Sequence, residues 1–393
     1  MIAGAAPTAG TGGADGPQAG ILPAPGPDVP RVAVRRRLAD GMLGDVVGHV
    51  LTEDSDALVL LPIDGPAVRI RPDDVMARRV VPERAVRPSS SAEAIERITS
   101  AGWPGLVVSR LGGWIVREGL GWTGRANSCL VAGDSGLAPQ DALDLVATHY
   151  ARVGLTPRLQ LTHPVGQAPH AAAAAVEQAA DASGWVPSDL THVLVTDLRR
   201  PLEGPLDRED DHEVDHEAAA GLGRRPGTTD RMSSPTVSAH WSDTVSPDWA
   251  RIVRGAEVAT DPRAIPVISA VPAQYLLLRE TSGAAVAAGR LVRTGDWVGL
   301  SCIEVVPTHR GVGLGRAVTA ALLQEARRGG ARFAYVQVED GNPALDLYRS
   351  LGFTPHHRYH YRALASRGLS AAAVPSVSSV SSVSEGATQV RHG

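Results

Sequence analysis

The stretch THRGVGLGRAVTAALLQEA, residues 308–326, decides the fold of the C-terminal part of this chain. It contains Arg310, glycines at 311, 313 and 315, and then an unbroken helical pattern. Glycines at a helix start let the backbone approach an anion closely, and the free N–H groups and the helix dipole both attract negative charge. The stretch therefore predicts a phosphate-binding loop.

The residues on either side predict the elements that hold this loop. LSCIEVVP, residues 300–307, is mostly apolar, and Pro307 ends it because proline cannot continue a strand ladder. Apolar residues then recur at helical spacing until Gly329 and Gly330 stop the helix. We expect a strand, a glycine turn and a helix in that order.

Two common phosphate loops do not fit. A dinucleotide fingerprint would need glycine where Arg316 or Val318 stands. A Walker loop needs lysine, and all 38 basic residues of this chain are arginine. The remaining pattern, Arg310-x-x-Gly313-x-Gly315, resembles a coenzyme A loop.

Residues 241–364 as a whole resemble the GNAT superfamily of acetyl-CoA-dependent N-acetyltransferases. YLLLRETSGAAVAAGRLVRTGDWVGLSCIEVVP resembles the antiparallel strands that lead into the cofactor strand of that fold. HRGVGLGR resembles its acetyl-CoA loop, ARFAYVQVE the next parallel strand, and NPALDLYRSLGF the closing helix. The resemblance implies a mixed α+β fold and acetyl-CoA as co-substrate.

The resemblance also implies roles for particular residues. Ile303, Glu304 and Val305 would lie along the cofactor strand, with the Val305 N–H polarising the thioester carbonyl. Asn342 would contact the cofactor or, alternatively, cap the helix that follows it. The residues expected to take the pyrophosphate are Arg310, Gly311, Val312, Gly313, Leu314, Gly315 and Arg316.

Acid and base roles fall on Tyr348 and Glu304. Tyr348 stands where many GNAT members keep a tyrosine that protonates the leaving thiolate, and a phenol suits that task. An amine must be neutral to attack, so a base is needed. Glu304 is the candidate base by position, with an ordered water as the alternative.

The segment 92–200 resembles the first unit of tandem GNAT-like proteins through GGWIVREGLGWTGRANS, residues 112–128. It lacks a glycine loop of the required kind, so we expect a degenerate half that packs against the catalytic unit and shapes the acceptor site. Arg125, Asn127 and Ser128 are the candidate acceptor-binding residues, and the alternative is that they are turn and core residues.

Short β-type runs between residues 30 and 85 predict a small SH3-like β-barrel. With this module in front, the layout resembles a bacterial GNAT subfamily in which some members have been assigned N-acetylglutamate synthase activity. Residues 1–29, rich in Gly, Ala and Pro, predict a disordered leader. Residues 201–240 predict an acidic disordered linker, and residues 365–393 a disordered tail.

Two histidine-rich stretches raise the question of a metal. HEVDHE, residues 212–217, spells the HExxH zinc signature through His212, Glu213 and His216, but charged residues surround it and nothing apolar would anchor its helix. In HHRYHYR, residues 356–362, His356 and His360 are too far apart along a strand to share an ion. We therefore expect no metal.

The sequence thus predicts a cytoplasmic acetyltransferase in which an amine attacks acetyl-CoA directly. The net charge of −4 and the lack of a basic stripe argue against nucleic-acid partners, and no apolar stretch is long enough to span a membrane. We expect a small amine or amino acid as acceptor, with protein contacts through the SH3-like module. A protein acetyltransferase, a non-catalytic acetyl-CoA-binding regulator and a zinc hydrolase are the alternatives.

Overall fold

The computed structural model describes residues 20–26, 28–166, 171–200 and 237–364. They form a five-stranded antiparallel sheet and a 13-stranded mixed sheet with helices packed on it. The expectation of a mixed α/β architecture is confirmed. Within these residues, no helix is both long and apolar enough to cross a membrane.

The smaller sheet contains the N-terminal strands predicted over residues 30–85. Its strand order is β5-β4-β3-β2-β6, and it encloses a small core around Val32, Val34 and Leu60. The pairing leaves β5 and β6 as open edges, so the expected closed barrel is not observed. The strands are β2 (Arg31–Arg37), β3 (Leu43–Glu53), β4 (Leu58–Leu61), β5 (Val68–Ile70) and β6 (Val75–Val80), numbered after β1 (Ile21–Pro23).

The first half of the large sheet follows. Helix α1 begins after Ser91, whose hydroxyl accepts a hydrogen bond from the Ala94 N–H at 3.3 Å. Strands β9 and β10 of this half pair in parallel, with α2 between them in the chain. The elements are α1 (Ala92–Gly102), β7 (Val107–Leu111), β8 (Trp114–Glu118), β9 (Cys129–Leu130), α2 (Pro139–Arg152), β10 (Arg158–Pro164), α3 (Ala171–Ala182), β11 (Val186–Pro187) and β12 (Thr191–Asp197).

The second half repeats this plan with longer strands. Strands β16 and β17 are its parallel pair, and α7 lies between them in the chain. Helix α7 covers a core formed by apolar residues of β14 to β17. The elements are β13 (Val237–Ser242), α4 (Pro247–Ile252), α5 (Glu257–Thr260), α6 (Ala264–Ile268), β14 (Gln274–Glu280), β15 (Ala285–Thr294), β16 (Trp297–Val305), α7 (Leu314–Arg328), β17 (Phe333–Glu339), α8 (Ala344–Ser350) and β18 (Thr354–Ala363).

The two halves exchange their last strands. The order β10-β18-β12-β17 places β18 against β10 of the first half and β12 against β17 of the second. Strands β12 and β18 also pair with each other at the centre. The halves therefore share one continuous sheet, and neither has its complete set of strands alone.

A buried polar network joins the halves near this centre. Glu96 of α1 is fully buried and accepts hydrogen bonds from His357 at 2.7 Å, Thr99 at 2.7 Å and Gln160 at 2.6 Å. Gln160 in turn accepts one from Arg117 at 2.6 Å. Because every one of these groups is out of water, each needs the others as partners.

The structure bears on the segments that the sequence predicts to be disordered: two of them contain strand residues at one end, and the remainder lies outside the described residues. Ile21–Pro23, inside the expected leader, pair with β7. Ile21 packs on the apolar cluster that contains Leu111, and Leu22 packs on the cluster that contains Val59 and Leu61 of the five-stranded sheet. Strand β13 begins at Val237, inside the expected linker, and pairs with β14. Residues 1–19, 201–236 and 365–393, with the HExxH stretch, lie outside the described residues.

Candidate active site

A cleft opens where β16 and β17 separate. The two strands pair only from Trp297 with Phe333 to Gly299 with Tyr335. Beyond that point β16 continues to Val305 and β17 to Glu339 without pairing to each other. The edge of β16 that faces the cleft is therefore unpaired beyond Gly299.

A bulge in β16 turns its backbone at this opening. Ala288 pairs with Glu304 and Arg290 with Ser301, so two residues of β16 stand opposite one of β15. Cys302, in the bulge, has a φ of 53°, which is rare for a residue with a side chain. Bulges re-aim strand backbone beside functional sites, and this one lies directly before the residues expected to line the cofactor.

The backbone of Val305 faces the cleft. The N–H of Val306 donates to Val286 on β15, and hydrogen-bonding positions alternate in an antiparallel pair. Val305 therefore directs its N–H and carbonyl away from β15. Its carbonyl accepts a hydrogen bond from Arg310 Nε at 3.1 Å, which agrees with this direction.

The glycine loop has the backbone that the sequence predicts. Gly311 and Gly313 have φ values of 80° and 92°, where any other residue is strained. Among the described residues, none accepts a hydrogen bond from the backbone N–H groups of 311–316, and the first backbone bond of the helix runs from Ala317 to the Gly313 carbonyl at 3.1 Å. A row of free N–H groups at a helix start is suited to a phosphate.

The side chains around the loop have separate partners. Val312 and Leu314 pack on the core under α7, and Gly315 lies against Leu347 of α8. Arg316 donates to the Ser350 hydroxyl at 2.5 Å. Asn342 accepts a hydrogen bond from the Ala344 N–H at 2.9 Å, so its oxygen caps α8. The capping alternative for Asn342 is what this contact supports.

Glu304 and Tyr348 lie at the same cleft. Ile303 and Val305 pack toward α7, so alternation directs Glu304 to the opposite face of the sheet. Burial raises the pKa of Glu304, while Arg310 and Arg254 offset part of that rise. Burial, together with the charge of Glu304, raises the pKa of Tyr348 to about 12. At neutral pH the phenol therefore keeps its proton.

The three candidate acceptor residues of the first half separate into two groups. Asn127 is buried and hydrogen-bonds the backbone of residues 119–123, and the Ser128 hydroxyl bonds Arg117 at 2.8 Å. These two residues hold a turn. Arg125 is different: its Nη2 is 3.4 Å from Tyr359 Oη, its Nε has no partner among the described residues, and its guanidinium lies over Trp103.

Sequence reasoning missed three residues at the cleft. Gln337 and Glu339 share a face of β17, and burial raises the pKa of Glu339 while Arg254 and Arg125 offset part of that rise. Arg254 follows α4, lies over Trp122 and bonds Glu257 at 2.8 Å. The polar residues at alternate positions of the β17 segment could have indicated Gln337 and Glu339 from the sequence. Nothing in the sequence around Arg254 indicates a site residue.

The corresponding loop of the first half is covered by the five-stranded sheet. The Asp134 N–H donates to the Asp64 carbonyl at 2.8 Å. A Cβ on Gly136 would stand 2.7 Å from Pro66 Cβ, so the proline ring lies directly against the backbone of this loop. The first half has no Arg-x-x-Gly-x-Gly pattern, and with this cover its loop at residues 131–138 offers no equivalent opening among the described residues.

One histidine cluster contains three side chains of the types that bind zinc. His163, Glu177 and His360 bring their ligand atoms within 4.8 Å of one another. His163 Nε2 and His360 Nδ1 are only 2.6 Å apart, whereas two nitrogens on one zinc ion stand about 3.3 Å apart. Glu177 also pairs with Arg362 at 3.2 Å. The cluster is a hydrogen-bonded histidine pair beside an ion pair.

Comparison with known proteins agrees with this geometry. Residues 89–362 match the family described as "Probable histone acetyltransferase Rv0428c C-terminal". The chain is 30% identical over 338 residues to the "Probable histone acetyltransferase Rv0428c" of Mycobacterium tuberculosis (strain ATCC 25618 / H37Rv), covering 84% of this chain and 93% of that protein.

Two further proteins match this chain, one over a short stretch and the other over most of its length at low identity. The "Uncharacterized N-acetyltransferase YobR" of Bacillus subtilis (strain 168) is 42% identical over 65 residues, 16% of this chain and 26% of that protein. A GCN5-related N-acetyltransferase from Kribbella flavida superposes with a TM-score of 0.47 at 17% identity, over 70% of this chain and 96% of the other. The family match and the M. tuberculosis relative carry the assignment: the chain belongs to the Rv0428c C-terminal family and is an acetyltransferase of the GNAT type.

Proposed function

We propose that this protein transfers the acetyl group of acetyl-CoA to the primary amine of a small molecule such as an amino acid, by direct attack in a ternary complex. The observation that carries the proposal is the separation of β16 from β17 after Gly299 and Tyr335. It leaves the Val305 N–H at the edge of a cleft that ends at the N–H groups of 311–316, for which no described residue is an acceptor.

The cofactor would lie along β16. Ile303 and Val305 would pair with the pantetheine, and the backbone of 311–316 would hold the pyrophosphate, with Arg310 beside it. Asn342 would contribute its amide nitrogen, because its oxygen already caps α8. Acetyl-CoA supplies an activated acyl group, and the Val305 N–H would stabilise negative charge on its carbonyl oxygen.

Two side chains would move protons. Glu304, whose pKa is raised by burial, would accept a proton from the incoming ammonium, directly or through an ordered water. Tyr348, still protonated at neutral pH, would donate to the departing thiolate. The two groups lie close enough for the charge of Glu304 to raise the pKa of Tyr348.

The acceptor would enter from the face of the sheet that carries Glu304 and Arg125. Arg125 is the retained candidate for acceptor binding, because Asn127 and Ser128 are occupied in a turn. The resemblance to a subfamily with N-acetylglutamate synthase members favours a glutamate-like acceptor. Two free thiols, Cys129 and Cys302, fit the proposed cytoplasmic location.

A protein acetyltransferase is the second candidate. The M. tuberculosis relative is named a probable histone acetyltransferase. The N-terminal sheet, which we propose is SH3-like, exposes Met42, Leu43 and Met76 at 65%, 55% and 49%, and these side chains could contact a protein substrate. A non-catalytic acetyl-CoA-binding role is the third hypothesis, and it predicts that no amine releases thiol from acetyl-CoA.

Release of free thiol from acetyl-CoA tests the proposal. The full chain is mixed with acetyl-CoA and, separately, with amino acids, polyamines and lysine-containing peptides. Turnover with a small amine supports the proposal, whereas turnover with peptides alone identifies a protein acetyltransferase. Binding of acetyl-CoA without turnover in any mixture contradicts an enzymatic role.

A further inference from the structure

Two side chains at the cleft, Gln337 and Arg125, have buried polar atoms without a hydrogen-bond partner in the described part of the chain. Both side-chain amide atoms of Gln337 are inaccessible to water and have no hydrogen bond among the described residues. Nε of Arg125 likewise has no partner among these residues, and its Nη2 contacts the Tyr359 hydroxyl at 3.4 Å. Buried polar groups without partners are costly and uncommon, and a ligand is one reason that they persist.

The two side chains share one side of the sheet. Gln337 lies between Tyr335 and Glu339 on β17, and alternation directs all three to the same face. Burial raises the pKa of Tyr335 to about 12 and that of Glu339 above its usual range, and the charge of Arg125 acts against both rises. Thr191 of β12 pairs with Glu339 on one side and with Tyr359 on the other, so these side chains form one row on this face. Arg125 contacts the Tyr359 hydroxyl at 3.4 Å and therefore lies beside the row that contains Glu339.

Backbone strain is concentrated around the same place. The positive-φ residues other than glycine, among those described, belong to three short segments: the turn of residues 119–127, the loop after α4, and the bulge of β16. Trp122 joins the first two, since its indole N–H donates to Glu257 at 2.7 Å and Arg254 lies over its ring. Such strain persists mainly where function requires it. The residues are Leu120, Thr123, Arg254, Ala256 and Cys302.

We propose that Arg125 and Gln337 together bind a carboxylate of the acetyl acceptor, so that the acceptor is a free amino acid and not a lysine within a protein. This inference rests on the proposed acetyl transfer. The Nε and Nη2 donors of arginine form a fork that matches a carboxylate, and the Gln337 amide adds a further donor. The acceptor amine then lies toward Glu304.

The acceptor itself provides the first test. Thiol release by the wild-type chain is compared for each of the twenty L-amino acids and its α-carboxamide, and for lysine-containing peptides with amidated C-termini. For the best amino acid, the carboxylate form should exceed the carboxamide by about 10- to 100-fold in kcat/KM, as expected for a charged hydrogen-bonded pair. Equal rates for the two forms, or turnover of the amidated peptides alone, would overturn the inference.

Variants provide the second test. Arg125→Gln should raise KM for that amino acid by about 10- to 100-fold, and KM for the carboxamide by less because the carboxamide carries no charge. The KM for acetyl-CoA should stay unchanged. Gln337→Met should also raise KM, yet leave the melting temperature unchanged or higher, because it removes buried polar atoms without partners. Arg78→Gln, on the distant N-terminal sheet, is the matched control and should behave as wild type.

The outcomes separate the two proposals. If Arg125→Gln and Gln337→Met slow the acid and the carboxamide equally, or if Gln337→Met lowers the melting temperature, the side chains are structural and the inference fails although acetyl transfer stands. If no amine releases thiol, the proposed function fails and the inference fails with it. Should Arg125→Gln not fold, Gln337→Met and the acceptor comparison still decide.

Discussion

Tyr335 of β17 lies over Gly299 of β16, at the last pair before the two strands separate. A Cβ on Gly299 would collide with the phenol ring of Tyr335, and one on Gly102 of α1 would collide with its hydroxyl. Tyr335 therefore occupies space that two glycines leave open. This arrangement sets the point at which the cleft begins.

Replacing Gly299 should disturb the start of the cleft. Gly299→Ala should lower the free energy of unfolding by about 1–3 kcal/mol, because the Tyr335 ring has to move. Acetyl-CoA affinity should fall with it. Denaturant unfolding and calorimetric titration measure the two effects, with Gly65→Ala as control because that site has open space around it. Unaltered stability and affinity in Gly299→Ala would show that Tyr335 does not define the opening.

Tyr348 should matter for turnover and not for cofactor affinity. Among the described residues none hydrogen-bonds its hydroxyl, so Tyr348→Phe should leave stability nearly unchanged. If the phenol protonates the thiolate, kcat should fall by about 100-fold. Thiol release and calorimetric titration of acetyl-CoA check the two halves of this prediction. A variant with wild-type kcat would remove Tyr348 from the proposed mechanism.

Glu304 should affect both catalysis and the pH dependence of stability. Burial raises its folded-state pKa, so its contribution to stability is complete below the unfolded pKa and is lost as pH rises through the folded value. Glu304→Gln should therefore be more stable than wild type at pH 8 and similar at pH 4. Its kcat should fall by about 100-fold at pH 7.

Thermal melts across that range and thiol-release rates measure these effects. Retained kcat in Glu304→Gln would transfer the role of base to an ordered water. A stability difference that grows toward pH 4 would contradict the assigned environment of Glu304.

The buried pair of Glu96 and His357 should hold the two halves together. Burial acts to raise the pKa of Glu96, but hydrogen bonds from His357 and Thr99 and the charges of His357 and Arg117 outweigh it and lower that pKa. Its contribution is therefore present above the unfolded pKa and lost as pH falls through the folded one. Glu96→Ala should cost about 3–5 kcal/mol at pH 7.

Denaturant unfolding of Glu96→Ala, His357→Ala and the double variant tests the coupling. We expect the double variant to lose much less than the sum of the single losses, because either change alone leaves a buried polar group without its partner. Additive losses would indicate that the pair is not coupled.

Local pattern was sufficient for the loop and its neighbouring elements. Gly311 and Gly313 have the positive φ that only glycine adopts easily. Pro307, which cannot continue a ladder, follows the end of β16, and Gly330, with a φ of 75°, follows the end of α7. The division into two GNAT-like halves also followed from motifs within single segments. These features depend on neighbours in sequence.

Features that depend on distant residues were not predictable in this way. The exchange of β12 and β18 joins residues more than 150 positions apart, as in the pairing of Leu194 with Pro355, and no local periodicity encodes it. The bulge at Cys302 appears only once β15 is in register. The sequence around Gln337 predicts an ordinary strand residue, and only the structure shows that its amide has no partner among the described residues.

The central claim is that acetyl-CoA binds between β16 and the backbone N–H groups of 311–316. Hydrogen–deuterium exchange of the full chain, with and without saturating acetyl-CoA, tests it amide by amide. The account predicts slower exchange at residues 303–306 and 311–316 and little change in the first-half loop at residues 131–138. Exchange at 311–316 that acetyl-CoA leaves unaltered would contradict it.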